Sequence, residues 1–114
     1  MYSVKSDYDG VVVLSLKGNL VTDNDINKLQ QEVETALQAN PRGIVLNLKH
    51  LNWISSMGIG GIIRCLNKAR KAQKDIYLAG LNDKVQNIVS VMKIDKIMKT
   101  FVSIQDAVNT FPAT

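Results

Sequence analysis

The run Gly43-Ile44-Val45-Leu46-Asn47-Leu48 is apolar at almost every position, rich in branched side chains and too short for an ordinary helix. Such a run reads as a central strand buried on both faces, which limits the chain to folds with helices packed over a sheet. The neighbouring segments supply those helices. Before the run, Ile26, Leu29, Val33, Ala36 and Leu37 fall at helical spacing. Thr22-Asp23-Asn24-Asp25 resembles a capping box, in which the threonine hydroxyl accepts from an orphan N–H and the acids complement the helix dipole. Asn40-Pro41 ends that helix, because proline disfavours helical backbone in the residue before it. After the run, from Ser56 onward, Ile59, Ile62, Ile63, Leu66 and Ala69 form a second helical stripe, with Arg64, Lys68 and Lys71 outside it. Ser55 or Ser56 can cap its start.

The alternation continues on both sides. Tyr2 to Lys5 and Val11 to Leu16, separated by the turn-like Asp7-Tyr8-Asp9-Gly10, read as an antiparallel hairpin. Asp75 to Ala79 reads as another strand, and Asn82 can cap a third helix carrying Val85, Ile88, Val89 and Met92. Apolar Ile94, Ile97 and Met98 follow, then an edge strand near Thr100 to Val102 and a short last helix from Ser103 through Val108 with Ala107 and Val108 turned inward. Together these predict an α/β fold: a mixed, mostly parallel sheet of about four or five strands with about four helices after an opening β-hairpin. A chain of 114 residues has room for one core, so residues 1–114 are expected to form a single domain. In open parallel sheets function gathers at the carboxyl ends of strands, which points to the segment after Leu48.

Several chemistries lack their residues. His50 is the only histidine and Cys65 the only cysteine, so neither an internal disulfide nor a Cys/His metal site is expected. Cys65 reads as an inert helix residue without a histidine partner. Met1 to Gly10 has neither the basic start nor the apolar middle of a signal peptide, and no apolar stretch reaches the roughly 20 residues that span a bilayer, so a cytoplasmic location without membrane insertion is expected. A net charge of +4 and the cluster Arg64, Lys68, Arg70, Lys71 and Lys74 raise a small basic nucleic-acid-binding domain as one function class. Against it, no stacking aromatics accompany the charges, and cations near a helix C-terminus are favoured by the dipole. Gly58, Gly60 and Gly61 lack the Lys-Ser/Thr ending of a phosphate-binding loop and read as close helix packing; no cofactor is expected. Trp53 is open to two placements, interface anchor or core.

The stretch Asn52-Trp53-Ile54-Ser55-Ser56-Met57-Gly58-Ile59-Gly60 resembles the signature Asp-Ser-Ser/Thr-Gly-Leu-Gly of anti-sigma-factor antagonists of the STAS type, a family in which Asn can replace the Asp. The glycines put Ser55 at the acid or amide position, Ser56 at the phosphoacceptor serine and Met57 at the second hydroxyl. Gly18-Asn19-Leu20 resembles the Gly-x-Leu before the family's first helix, Ile44 to Leu48 its central strand, and Ser103-Ile104-Gln105-Asp106-Ala107 its closing helix start. The resemblance implies a bacterial regulator of transcription that acts by docking and is no enzyme. It would bind an anti-sigma factor that is also a serine protein kinase, with ATP held by that partner, and would be released by phosphorylation on Ser56. The implied contact surface is Val21, Thr22, Asp23, Asn24, Trp53, Ser55, Ser56, Met57 and Gly58.

This chain has Val21 where the family often has an acid and Ser55 where it has an acid or amide, with Asp23 and Asn24 nearby. Those departures leave open a second reading, a STAS module that is never phosphorylated and serves as a scaffold or subunit of a larger assembly. Catalysis by the chain itself is the least supported class, because the two serines have no histidine or carboxylate beside them in sequence for acid–base work.

Overall fold

The computed structural model describes residues 1–112. Strands β1 (Tyr2–Tyr8) and β2 (Val11–Leu20) pair antiparallel. Their link is only Asp9-Gly10, with φ of 53° and 85°. Two successive left-handed residues match the right-handed twist of the flanking strands, and Asp7 Oδ1 accepts the Gly10 N–H at 3.0 Å. The hairpin is therefore longer than the sequence suggests. Asp7 and Tyr8 belong to β1, and β2 runs on through Gly18-Asn19-Leu20.

Helix α1 (Asp23–Gln38) starts at the expected capping box: Thr22 Oγ1 accepts from Asp25 N, and Asp25 accepts from Thr22 N. Strand β3 (Gly43–Asn47) follows, buried at every residue. Then come β4 (Leu51–Ile54), α2 (Ser56–Lys71), β5 (Ile76–Ala79) and α3 (Asp83–Val91). A single 3-10 turn (Ile94–Lys96), β6 (Thr100–Phe101) and α4 (Ile104–Thr110) close the described chain. The sheet order is β1-β2-β3-β5-β6, parallel except for the β1–β2 pair.

Six strands exceed the expected four or five because Leu51–Ile54 pairs with the far end of β2, Asn19 opposite Trp53 and Leu20 opposite Ile54. Its burial runs in-out-out-in, without the alternation of a strand, so only the pairing with β2 makes it one.

Alternate residues divide the core between the two faces of the sheet. Val12, Leu14, Leu16, Ile44, Leu46, Ile76 and Leu78 pack with the apolar stripes of α1, α2 and α3. Val11, Val13, Val45, Tyr77 and Ala79 face α4, where Ala107, Val108 and Phe111 cover them. Each fully buried Leu or Ile contributes about 1.5–3 kcal/mol, so the two faces together hold the helices in place. The Phe111 ring stacks on Tyr77 with centroids 3.9 Å apart and occupies the space where a side chain on Gly43 would sit. In the tail Ile94 and Met98 are buried, whereas Ile97 and Val102 are exposed.

Candidate functional site

Two junctions meet at the carboxyl end of β2: the loop from β2 into α1 and the step from β4 into α2. The backbone joins them first, Ser55 N donating to Leu20 O at 3.1 Å. Ser55 is the N-cap of α2, in extended conformation, and its Oγ accepts from Gly58 N at 3.0 Å. The same hydroxyl donates to Val21 O at 3.3 Å, so one side chain both starts α2 and fastens the neighbouring loop. Asp25 completes the joint. Its Oδ2 accepts from Val21 N at 3.1 Å and Thr22 N at 3.0 Å, and its Oδ1 meets the Met1 ammonium at 2.9 Å. The Thr22 N–H, followed by that ammonium, holds the Asp25 carboxyl far below the usual carboxylate range.

With Ser55 committed to the backbone, Ser56 is the first residue of α2 and is exposed. Met57 beside it is 53% exposed. Of the two placements open to Trp53, the surface holds: the side chain is 50% exposed on β4. Trp53, Ser55 and Ser56 form one wall of a groove of about 310 Å³ whose other wall is α3, with Ile88, Val91 and Met92. Val91 on that wall is 71% exposed, and with Trp53 and Met92 it gives the groove an apolar lining.

Val21 is half-buried in the fastened loop, and Thr22, Asp23 and Asn24 are exposed at the start of α1, on the side where Val21 meets Ser55. Gly58 differs from the rest of the expected contact surface. It is buried, and a side chain there would collide with the Leu20 carbonyl, so this glycine brings α2 against β2 and presents nothing outward. Gly61 likewise admits Ile26 of α1. Gly60 has open space where a side chain would stand, so the expectation of close packing holds for two of the three glycines.

Sequence reasoning placed Ile88 and Met92 in the stripe of a third helix and did not assign Val91. It missed that α3 lies across the groove from Ser56, a proximity no local pattern encodes. The basic stretch of α2 is partly spent on structure, Lys68 pairing with Glu34 and Arg70 with Asp75 at 3.4 Å and the Ile97 carbonyl at 3.0 Å. Cys65 is buried, and that burial pushes its thiol up to about 11. Among the described residues no helix is long and apolar enough to cross a membrane.

The STAS domain family model matches residues 2–107. A protein of Bordetella bronchiseptica named as an anti-sigma factor antagonist, BtrV, is 25% identical over 83 residues, 73% of this chain and 71% of that protein. A crystal structure described as an anti-sigma factor antagonist from Thermotoga maritima shares the fold, with a TM-score of 0.84 and 23% identity over 96% of this chain and 93% of that one. The Bacillus cell fate determinant SpoIIAA in its phosphorylated form also shares it, with a TM-score of 0.68 and 16% identity over 94% and 96% of the two chains.

Proposed function

The chain belongs to the STAS domain family, and from that premise we propose that it is an anti-sigma-factor antagonist that works as a partner switch in the bacterial cytoplasm. Unmodified, it binds an anti-sigma factor that is also a serine kinase; phosphorylated on Ser56, it lets that partner go. The chain performs no catalysis, and ATP belongs to the partner.

The observation that carries this reading is the division of labour between two adjacent hydroxyls. Ser55 is used up in capping and in fastening Val21, while Ser56 stands exposed at the head of α2 between Trp53, Met57 and the α3 wall. Apolar, exposed surroundings suit a docking surface that closes over the hydroxyl. The local electrostatics tolerate a phosphate. A phosphoserine adds about −1.5 to −2 charge at pH 7, and a helix start favours it through the dipole and free N–H groups. The first turns of α1, α3 and α4 each contain an aspartate, whereas that of α2 contains no acid to repel the new charge.

Release then arises across the interface and not within the fold. A dianion that must shed water to dock against an apolar surface pays a penalty, and every 1.4 kcal/mol or so weakens binding about tenfold. The resemblance to the phosphorylated SpoIIAA structure is consistent with a fold that carries the modification unchanged. The pairing of Lys68 and Arg70 with acids draws part of the basic stretch away from a nucleic-acid role.

The test is a pull-down from the native cell with unmodified protein and with Ser56→Asp, followed by phosphorylation with whatever kinase-fold protein is recovered. Capture by the unmodified bait alone, with mass spectrometry finding phosphate on Ser56, is the expected result. Phosphate on Ser55, or equal capture by both baits, overturns the switch.

A further inference from the structure

The two edges of the sheet are unequal. At one end β6 is two residues long, too short to template another strand. At the other, β1 is seven residues long and pairs with β2 on one side only. Helix α4 lies over β3, β5 and β6 and, with Phe111, covers Val11 and Val13 at the start of β2, while the same face of β1 keeps exposed side chains. There Tyr2, Val4 and Tyr8 are 61%, 47% and 39% exposed. A long edge of this kind is ordinarily blunted by charge, and β1 has Lys5. Two residues later, on the same face of the strand, it also has Asp7.

The backbone parity is readable from the hairpin. A two-residue turn closes on a hydrogen-bonded pair, here Tyr8 with Val11, and such pairs alternate along an antiparallel ladder. Tyr8, Ser6, Val4 and Tyr2 therefore turn their N–H and C=O groups toward β2. Gly10 O, which accepts from Arg42 N at 2.8 Å, gives the same parity, because it turns the even-numbered residues of β2 toward β3 and leaves the odd ones for β1. Asp7, Lys5 and Ser3 direct their backbone groups outward along the edge, where no strand of the described residues pairs with them.

We propose that β1 is a self-association edge: two copies of the chain pair antiparallel through their β1 strands about a two-fold axis at Ser6, joining two sheets into one. A two-fold centred on Ser6 sets Lys5 against Asp7 of the second copy, and the reverse, so both outward-facing residues find hydrogen-bonded partners of opposite charge. Val4 falls opposite Tyr8 on the other face, an aliphatic–aromatic cross-strand pair of the kind that stabilises sheets. The neighbouring registers lose this match: a centre at Lys5 opposes lysine to lysine, and a centre at Asp7 opposes aspartate to aspartate. Self-complementarity about one axis is what a closed dimer requires. Ser56 lies beyond the other end of β2 from the hairpin turn, so the pairing leaves it accessible.

Sedimentation equilibrium over a concentration series tests the association. The expected weight-average mass rises from 12.6 kDa toward twice that value. Lys5→Asp and Asp7→Lys should each weaken the dimer tenfold or more, and an equimolar mixture of the two variants should restore it, because each strand then meets its opposite. The register is read independently by Ser6→Cys, which should form a disulfide-linked dimer under mild oxidation, with native Cys65 buried and out of reach. A mass that stays at 12.6 kDa up to about 1 mM, the range of very weak complexes, overturns the proposal. So does efficient cross-linking of Lys5→Cys in place of Ser6→Cys, or a mixture of the charge variants that remains monomeric.

Discussion

Adjacent serines, one tied to the backbone and the other exposed, make the residue scale the sharpest place to probe this protein. Ser55→Ala removes a cap and the tie to Val21 and should cost about 1 kcal/mol in urea denaturation, whereas Ser56→Ala, at an exposed position outside the cap, should change stability by less than about 0.5 kcal/mol. The glycines of α2 separate in the same way. Gly58→Ala drives a methyl group into the Leu20 carbonyl and should destabilise by about 1–3 kcal/mol, the usual range for overpacking. Gly60→Ala meets nothing and should stabilise by about 0.5–1 kcal/mol, since alanine restricts the unfolded chain and favours helix. Cys65 adds a pH signature. Its thiol is raised to about 11 in the fold against about 8.5 in an unfolded chain, so the folded protein binds the proton more tightly and stability falls as pH rises between those values. Cys65→Ala should flatten that alkaline limb in denaturation curves measured from pH 8 upward.

At the scale of elements, what matters is how β2, α1 and α2 are joined, and Asp25 is the group that joins them. The capping pattern Thr22-x-x-Asp25 is legible in the sequence, but a capping box explains only the bond to Thr22 N. The bonds to Val21 N and to the Met1 ammonium depend on β1 and β2 arriving at the same corner. Because its carboxyl is depressed in the fold, Asp25 contributes stability that is complete above the unfolded carboxylate range near 4 and is lost as pH falls below it. Asp25→Asn should therefore be less stable than the parent at pH 7, and the gap between the two should narrow steadily on acidification. An unchanging gap would mean that the charge is not what holds the corner. Strand β4 shows the complementary limit. Its four residues lack the alternation of a strand, so the sequence leaves them unassigned within the segment after Leu48, although their pairing with β2 is what aims Trp53 outward and delivers Ser55 to Leu20.

For the whole molecule, the separation of the fold from the proposed switch is the central expectation. Ser56→Asp should leave the melting temperature close to that of the parent while reducing partner affinity tenfold or more, a contrast that calorimetry on the free protein and binding titrations would show together. Apart from β4 and the choice of cap for α2, the order of elements, the helix caps and the buried central strand follow from the sequence alone, because each is set by contacts within a few residues or by a period of burial that must match its backbone geometry. The asymmetry between Ser55 and Ser56, the outward face of Trp53, the α3 wall across from Ser56 and the unequal sheet edges follow only from the tertiary structure. They depend on which distant segments come to lie side by side, and the free energy of such meetings resides in pairs of surfaces that no stretch of sequence contains by itself.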